Sequence, residues 1–292
     1  MERIRKALDL ARLERSKAAA IEGLEPGAPE DVSETVAKPA PPQQEPATPK
    51  PPPPGSALPA LIAYTKTKVF APTAEVLEAN RIMDPASHDP AAAAFRMLRT
   101  QVLQRMAANS WRSLAIFSPG AHDGKTTTAI NLAVSIANDH RHTVLLVDFD
   151  FKRPTLAARL GLVPELGSDD VLRGTARIEE SLYHPDAFDR LVVMPARAAM
   201  SHSSEILAGP RCRELVKELR ARYPERMIIY DLPPVLSADD ALAFAPLVEC
   251  GLVVASEGRT RRNDLLRTIE LLQKTPIVGT VLNRAADAVT GY

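Results

Sequence analysis

The stretch SPGAHDGKTTTAINLA, Ser118 to Ala133, constrains this chain more than any other. It lies between the apolar run SLAIFS and a helical pattern that opens directly at Lys125. A Gly-Lys-Thr between strand and helix sets the free N–H groups and positive dipole end of that helix against an anion. That is the context of a phosphate-binding loop, although the fit to G-x-x-x-x-G-K-[ST] is incomplete. Pro119 holds the place of the first glycine, and Gly120 comes one step late. His122 and Asp123 stand in the turn, where histidine is tolerable because it visits positive φ more readily than most residues. The strain is about 1–2 kcal/mol, small against a triphosphate held by several backbone N–H groups. On this reading Gly120, Asp123 and Gly124 belong to the ATP-binding loop. Lys125 bridges the outer phosphates, Thr126 holds Mg²⁺ through its hydroxyl, and Thr127 caps the α-phosphate.

From Ser113 onward short apolar runs alternate with helical patterns. The runs are SLAIFS, TVLLVD, RLVVMPA, RMIIYD, CGLVVAS and IVGTVLN, and the intervening helices include Lys125–Asn138, Ser204–Arg222, Asp239–Phe244 and Arg262–Lys274. Several runs are apolar continuously, as strands buried on both faces are. The pattern predicts an α/β domain, a mostly parallel sheet flanked by helices with right-handed crossovers.

Two further strand ends carry acids. In HTVLLVDFDFKRP, Asp148 and Asp150 follow a buried strand, and in RMIIYDLPP, Asp231 ends another. Open α/β sheets bind ligands in the crevice at the carboxyl ends of their strands. Paired acids beside a phosphate loop suit Mg²⁺, an oxygen-seeking ion that usually keeps waters and a phosphate in its shell. One of them is placed to accept a proton from an attacking hydroxyl, and Asp231 fits the acid that orders a magnesium shell.

The rest of the chain narrows the class. Formal net charge is zero, which argues against nucleic-acid binding through an excess of basic charge. The two cysteines, Cys212 and Cys250, lack disulfide-framework or zinc-ligand spacing and suit a reducing cytosol. The N-terminus is too charged for a secretory signal peptide, and no run approaches a membrane span. A cytoplasmic protein is expected, touching a membrane only through a partner. Residues 1–22 read as an amphipathic helix. Residues 23–60, which hold nearly half of the 26 prolines, read as a disordered tether. Residues 61–292 read as the catalytic domain, opening with a helical extension over 61–110. Within that extension YTKTKVFAP fits a strand or a docking segment. In DPAAAAFRMLRTQVLQRMAA, Asp89 is an N-cap and Pro90 a first helical residue.

These motifs together resemble the bacterial tyrosine autokinases of capsule and exopolysaccharide loci, P-loop relatives of the partition and septum-positioning ATPases. The resemblance runs from about Tyr64 to the C-terminus, through the loop, LLVDFDFKRP as the extra Walker A′ motif, SSEILAGPR, YDLPPVLSADDALA as Walker B, and GTVLN. The short N-terminal helix, proline-rich tether and YTKTKV…NRI segment look like the exosortase-linked subfamily. The resemblance implies that Lys125, Thr126 and Thr127 hold phosphates and Mg²⁺ and that Asp148 activates the tyrosine hydroxyl. It implies too that Asp150 and Asp231 complete the metal shell and that Asn283 reads the adenine edge. It further implies ring-like homo-oligomers, and activation by the cytosolic segment of a membrane chain-length determinant, a polysaccharide co-polymerase.

Three departures accompany the resemblance. The loop carries His122-Asp123 where the family usually has Gly-Glu. In the ring-forming pattern E-x-x-R-x-x-R the arginines are Arg96 and Arg99, but Ala93 replaces the glutamate. The family's terminal tyrosine cluster is reduced to Tyr292, leaving it the candidate phospho-acceptor. Two other functions are therefore weighed beside the kinase: a catalytically weak nucleotide-binding scaffold, and a partition-type ATPase switch. Against the switch, Gly120 stands where those relatives carry their signature lysine.

Overall fold

The apolar runs become the strands of one sheet. The structure, a computed structural model, describes residues 67–223 and 225–285. The expected N-terminal helix and tether, Tyr64 and Tyr292 lie outside the described residues. In chain order the strands are β1 (Lys68–Phe70), β2 (Ser113–Phe117), β3 (Thr143–Asp148) and β4 (Tyr183–Pro185). They continue with β5 (Leu191–Met194), β6 (Arg226–Asp231), β7 (Cys250–Ser256) and β8 (Ile277–Asn283). Among the described residues they form an 8-stranded sheet in the order β1-β4-β5-β3-β6-β2-β7-β8. Every pairing is parallel except β4 with β5. The central strands β2, β3 and β7 are buried at every residue, whereas edge strand β8 alternates. Helices covering both faces make this difference.

The helices are α1 (Ala74–Ala79), α2 (Pro90–Ala108), α3 (Lys125–Ala137), α4 (Leu156–Arg159) and α5 (Ser168–Arg173). They are followed by α6 (Ser203–Ala208), α7 (Pro210–Arg222), α8 (Asp240–Phe244) and α9 (Arg262–Leu271). One side of the sheet packs on α2 and α3 through Val102, Met106, Ile130 and Ile136. The other holds an aromatic cluster in which the Phe244 ring meets Phe149 edge-on at 5.1 Å and Tyr230 at 4.9 Å. Asp89 caps α2 as expected, its carboxylate accepting from the Ala91 N–H at 2.7 Å.

The structure corrects one reading. The single helix expected over Ser204–Arg222 is two, because Pro210 lacks an N–H and starts a new helix after Gly209. Within the extension over 61–110, the strand alternative for YTKTKVFAP holds at Lys68–Phe70, where β1 pairs with β4. Arg96 and Arg99 bond their own chain: Arg96 donates to the carbonyls of Pro85 and Ser87, both at 2.9 Å, and Arg99 to that of Ser135 at 3.0 Å.

Candidate nucleotide site

Parallel pairing delivers the site residues to one edge of the sheet. Asp148 and Asp231 are direct register partners on β3 and β6, and Ile116 of β2 lies on the other side of Asp231. The loop after β2 therefore rises next to both acids. At its end Gly124 has φ 98°, and a Cβ there would lie 1.9 Å from Asn283 Nδ2. Glycine is required both for the left-handed conformation and for that approach. His122 takes the expected positive φ, 66°.

Lys125 and Thr126 open α3 and turn towards the acids. Lys125 Nζ lies 2.7 Å from Asp150 Oδ2 and 3.9 Å from Asp231 Oδ1, with little of any of the three side chains exposed. The Thr126 hydroxyl donates to Asp231 Oδ2 at 2.6 Å. Burial works against the charge on Lys125, yet Asp231 and Asp150 outweigh it and hold its proton more tightly than usual. Burial likewise pushes the Asp231 carboxyl up, an effect that Lys125 and Thr126 only partly offset. Asp148 is fully enclosed, its oxygens accepting from the N–H groups of Asp150 at 3.0 Å and Leu156 at 3.2 Å. Burial, and then the charges of Asp231 and Asp150, raise it well above the ordinary carboxylate range. All five residues thus converge, with two departures from expectation. Asp150 is the ion-pair partner of Lys125, and Asp148 is covered by its own turn.

Magnesium fits this set. Asp231 Oδ1 is buried without a hydrogen bond, beside the Thr126 hydroxyl. Among the described residues no group of three His, Cys, Asp or Glu side chains is arranged to hold a metal alone. Magnesium usually keeps several waters and substrate phosphates in its shell, with one or two carboxylates from the protein.

Other contacts escaped the sequence reading. Asp123 closes the loop on itself by accepting from the Gly120 N–H at 2.8 Å, and its other oxygen accepts from the Thr260 hydroxyl at 2.9 Å. Asn283 donates to the Asp123 carbonyl at 2.9 Å, so the residue expected at the adenine edge also fastens the loop. Thr127, expected at the α-phosphate, accepts from Arg159 Nη1 at 3.1 Å. Thr260 follows the carboxyl end of β7 and was findable from that position, whereas nothing local marks Arg159. A cleft of about 280 Å³ opens beside Gly120, Asp123, Leu236 and Arg259. A larger groove of about 900 Å³ lies at the far end of α3, near Ala137 and Asn138, away from this chemistry.

Fold and site define a P-loop nucleotide-binding domain. Residues 114–290 match the CobQ/CobB/MinD/ParA nucleotide binding domain, and the chain belongs to that family. Tyrosine-protein kinase YwqD of Bacillus subtilis (strain 168) is 28% identical over 191 residues, 65% of this chain and 79% of that protein. The succinoglycan biosynthesis transport protein ExoP of Rhizobium meliloti (strain 1021) is 31% identical over 212 residues, 70% of this chain but only 26% of its own length. The crystal structure of the VpsO kinase domain matches with a TM-score of 0.60 at 30% identity, over 67% of this chain and 96% of that one. Among the described residues no helix is long and apolar enough to cross a membrane.

Proposed function

We propose that this chain is an ATP-dependent protein-tyrosine autokinase that regulates exopolysaccharide assembly, of the exosortase-linked kind. The observation that carries it is the convergence of Lys125, Thr126, Asp148, Asp150 and Asp231 at the phosphate loop, in a chain whose relatives include tyrosine-protein kinases. Thr126 and Asp231 would hold magnesium, which supplies positive charge against the phosphates. Lys125 leaves Asp150 to neutralise charge on the γ-phosphate, and Asp150 is then free for the metal's shell. The tyrosine oxygen forms a bond to the γ-phosphorus as the bond to ADP breaks, and the phenolic proton passes to Asp148. Positioning and electrostatics supply most of the rate in such transfers. Burial and the charges of Asp231 and Asp150 make Asp148 hold a proton more readily than an ordinary carboxylate, and the N–H groups of Asp150 and Leu156 cover its oxygens.

Tyr292 is the acceptor that the resemblance suggests; among the described tyrosines Tyr230 is fully buried, the Tyr183 hydroxyl is bonded to the backbone of residues 165 and 166, and Tyr223 lies under the Arg226 guanidinium. The proposed partner is the cytosolic segment of a membrane chain-length determinant, which would bring a cytoplasmic protein to the membrane's inner face. ExoP, of which this chain spans about a quarter, motivates the link to polysaccharide export. The covered Asp148 favours one second reading, a catalytically weak nucleotide-binding scaffold.

Incubation with labelled ATP and Mg²⁺, with and without the partner's cytosolic segment, followed by phosphotyrosine blotting separates the two. Wild type should label, Lys125→Met should not, and Tyr292→Phe should lose most of the signal. Nucleotide binding without phosphotyrosine in wild type favours the scaffold, and signal that survives Lys125→Met rejects the site.

A further inference from the structure

Arg159 is a basic side chain at this site that the roles above leave unused. It ends the four-residue helix α4 and reaches back to α3, where Nη1 donates to the Thr127 hydroxyl at 3.1 Å. Its Nε is buried and has no hydrogen-bond partner among the described residues. The guanidinium also lies near enough to Asp231 for its charge to act on that carboxylate. A desolvated donor is costly to leave unmade, so its place beside an anion site requires an explanation. Among the described residues no carboxylate supplies one: Asp231 acts on it only from beyond ion-pair distance, while Asp150 is taken by Lys125 and Asp148 by its own turn.

We propose that Arg159 is a second phosphate-binding cation of the pocket, contacting the nucleotide on its α-phosphate side next to Thr127. This inference rests on the reading of Ser118–Ala133 as a nucleotide loop and adds a ligand to it. Guanidinium presents several N–H donors in a fixed fork, and phosphate oxygens are the acceptors that fork matches. Nη1 already bonds the Thr127 hydroxyl, and the unused Nε is a second donor from the same plane. A contact on the α-phosphate side is made equally to ADP and ATP. It strengthens binding without favouring the transition state, so its loss raises KM and leaves kcat nearly unchanged.

Calorimetry with Mg-ADP and with a Mg-bound non-hydrolysable ATP analogue, on the full chain, tests this. Arg159→Gln should weaken both by the same factor, about tenfold for one charge-assisted bond. Arg159→Lys should recover part of the loss, and the melting temperature without nucleotide should change little. The weakening should persist on a Thr127→Val background, since the contact is to phosphate. Unchanged affinity in Arg159→Gln, or a loss that disappears on Thr127→Val, overturns the inference while leaving the nucleotide site intact. Should Arg159→Gln fail to fold, Arg159→Lys decides: affinity equal to wild type for both nucleotides counts against the fork. Absence of binding by wild type overturns both readings together.

Discussion

At Gly124 a single atom decides the shape of the loop. A methyl there meets Asn283 Nδ2 and meets a φ of 98° that side chains avoid. Gly124→Ala should lower nucleotide affinity at least about tenfold, because the left-handed strain of about 1–2 kcal/mol adds to the lost Asn283 bond. Adding Asn283→Ala should recover only part, since space returns and the backbone penalty does not. Full recovery in the double variant, read by nucleotide titration, would show that crowding alone matters. Residues of this kind were legible in advance, because Gly-Lys-Thr and strand-end aspartates are local patterns. Arg159 and Thr260 were not. Their partners, Thr127 and Asp123, are far away in the chain and are reached only through the tertiary fold.

Elements are held at the opposite edge of the sheet by Glu249, just before β7. Its carboxylate accepts from the N–H groups of Arg112 and Ser113 at 2.6 and 2.8 Å, from the Ser113 hydroxyl, and from Arg220 of α7. Burial opposes the charge of Glu249, yet these donors together hold the carboxyl below its ordinary value of 4.5. With the folded value depressed, the stabilisation is present above that ordinary value and is lost as pH falls through the folded one. Glu249→Gln should therefore cost about 2 kcal/mol at pH 7 in urea unfolding, and the difference from wild type should shrink towards pH 3. A gap that widens with acid would contradict the depressed carboxyl. Asp89→Ala, which removes the α2 cap, should cost about 1 kcal/mol at either pH. The strands were readable from their continuous apolar runs. The short β4 was not, because three residues carry no usable period; β1, inside YTKTKVFAP, was one of two readings, and its partner lies more than a hundred positions away.

For the whole molecule, a ligand that binds only the folded state raises stability by mass action. Magnesium and ATP at a hundred times their Kd add about 2.7 kcal/mol. For a domain of this size that lifts Tm by about 5–11 °C. Chelating the metal should remove most of the rise, and Lys125→Met should show none. A wild-type Tm indifferent to both additions would speak against a built nucleotide pocket. The parallel architecture that creates the pocket was foreseeable from alternation alone, whereas the order of strands across the sheet was not. That order rests on pairings between strands distant in the chain, such as β6 between β2 and β3.

The order has a consequence during synthesis. β6 lies between β2 and β3 although it follows both in the chain by many residues. During synthesis the glycine loop and the first pair of acids are made well before Asp231, whose strand joins theirs in the finished sheet. A chain that ends before β6 therefore lacks the strand on which the two halves of the proposed site meet.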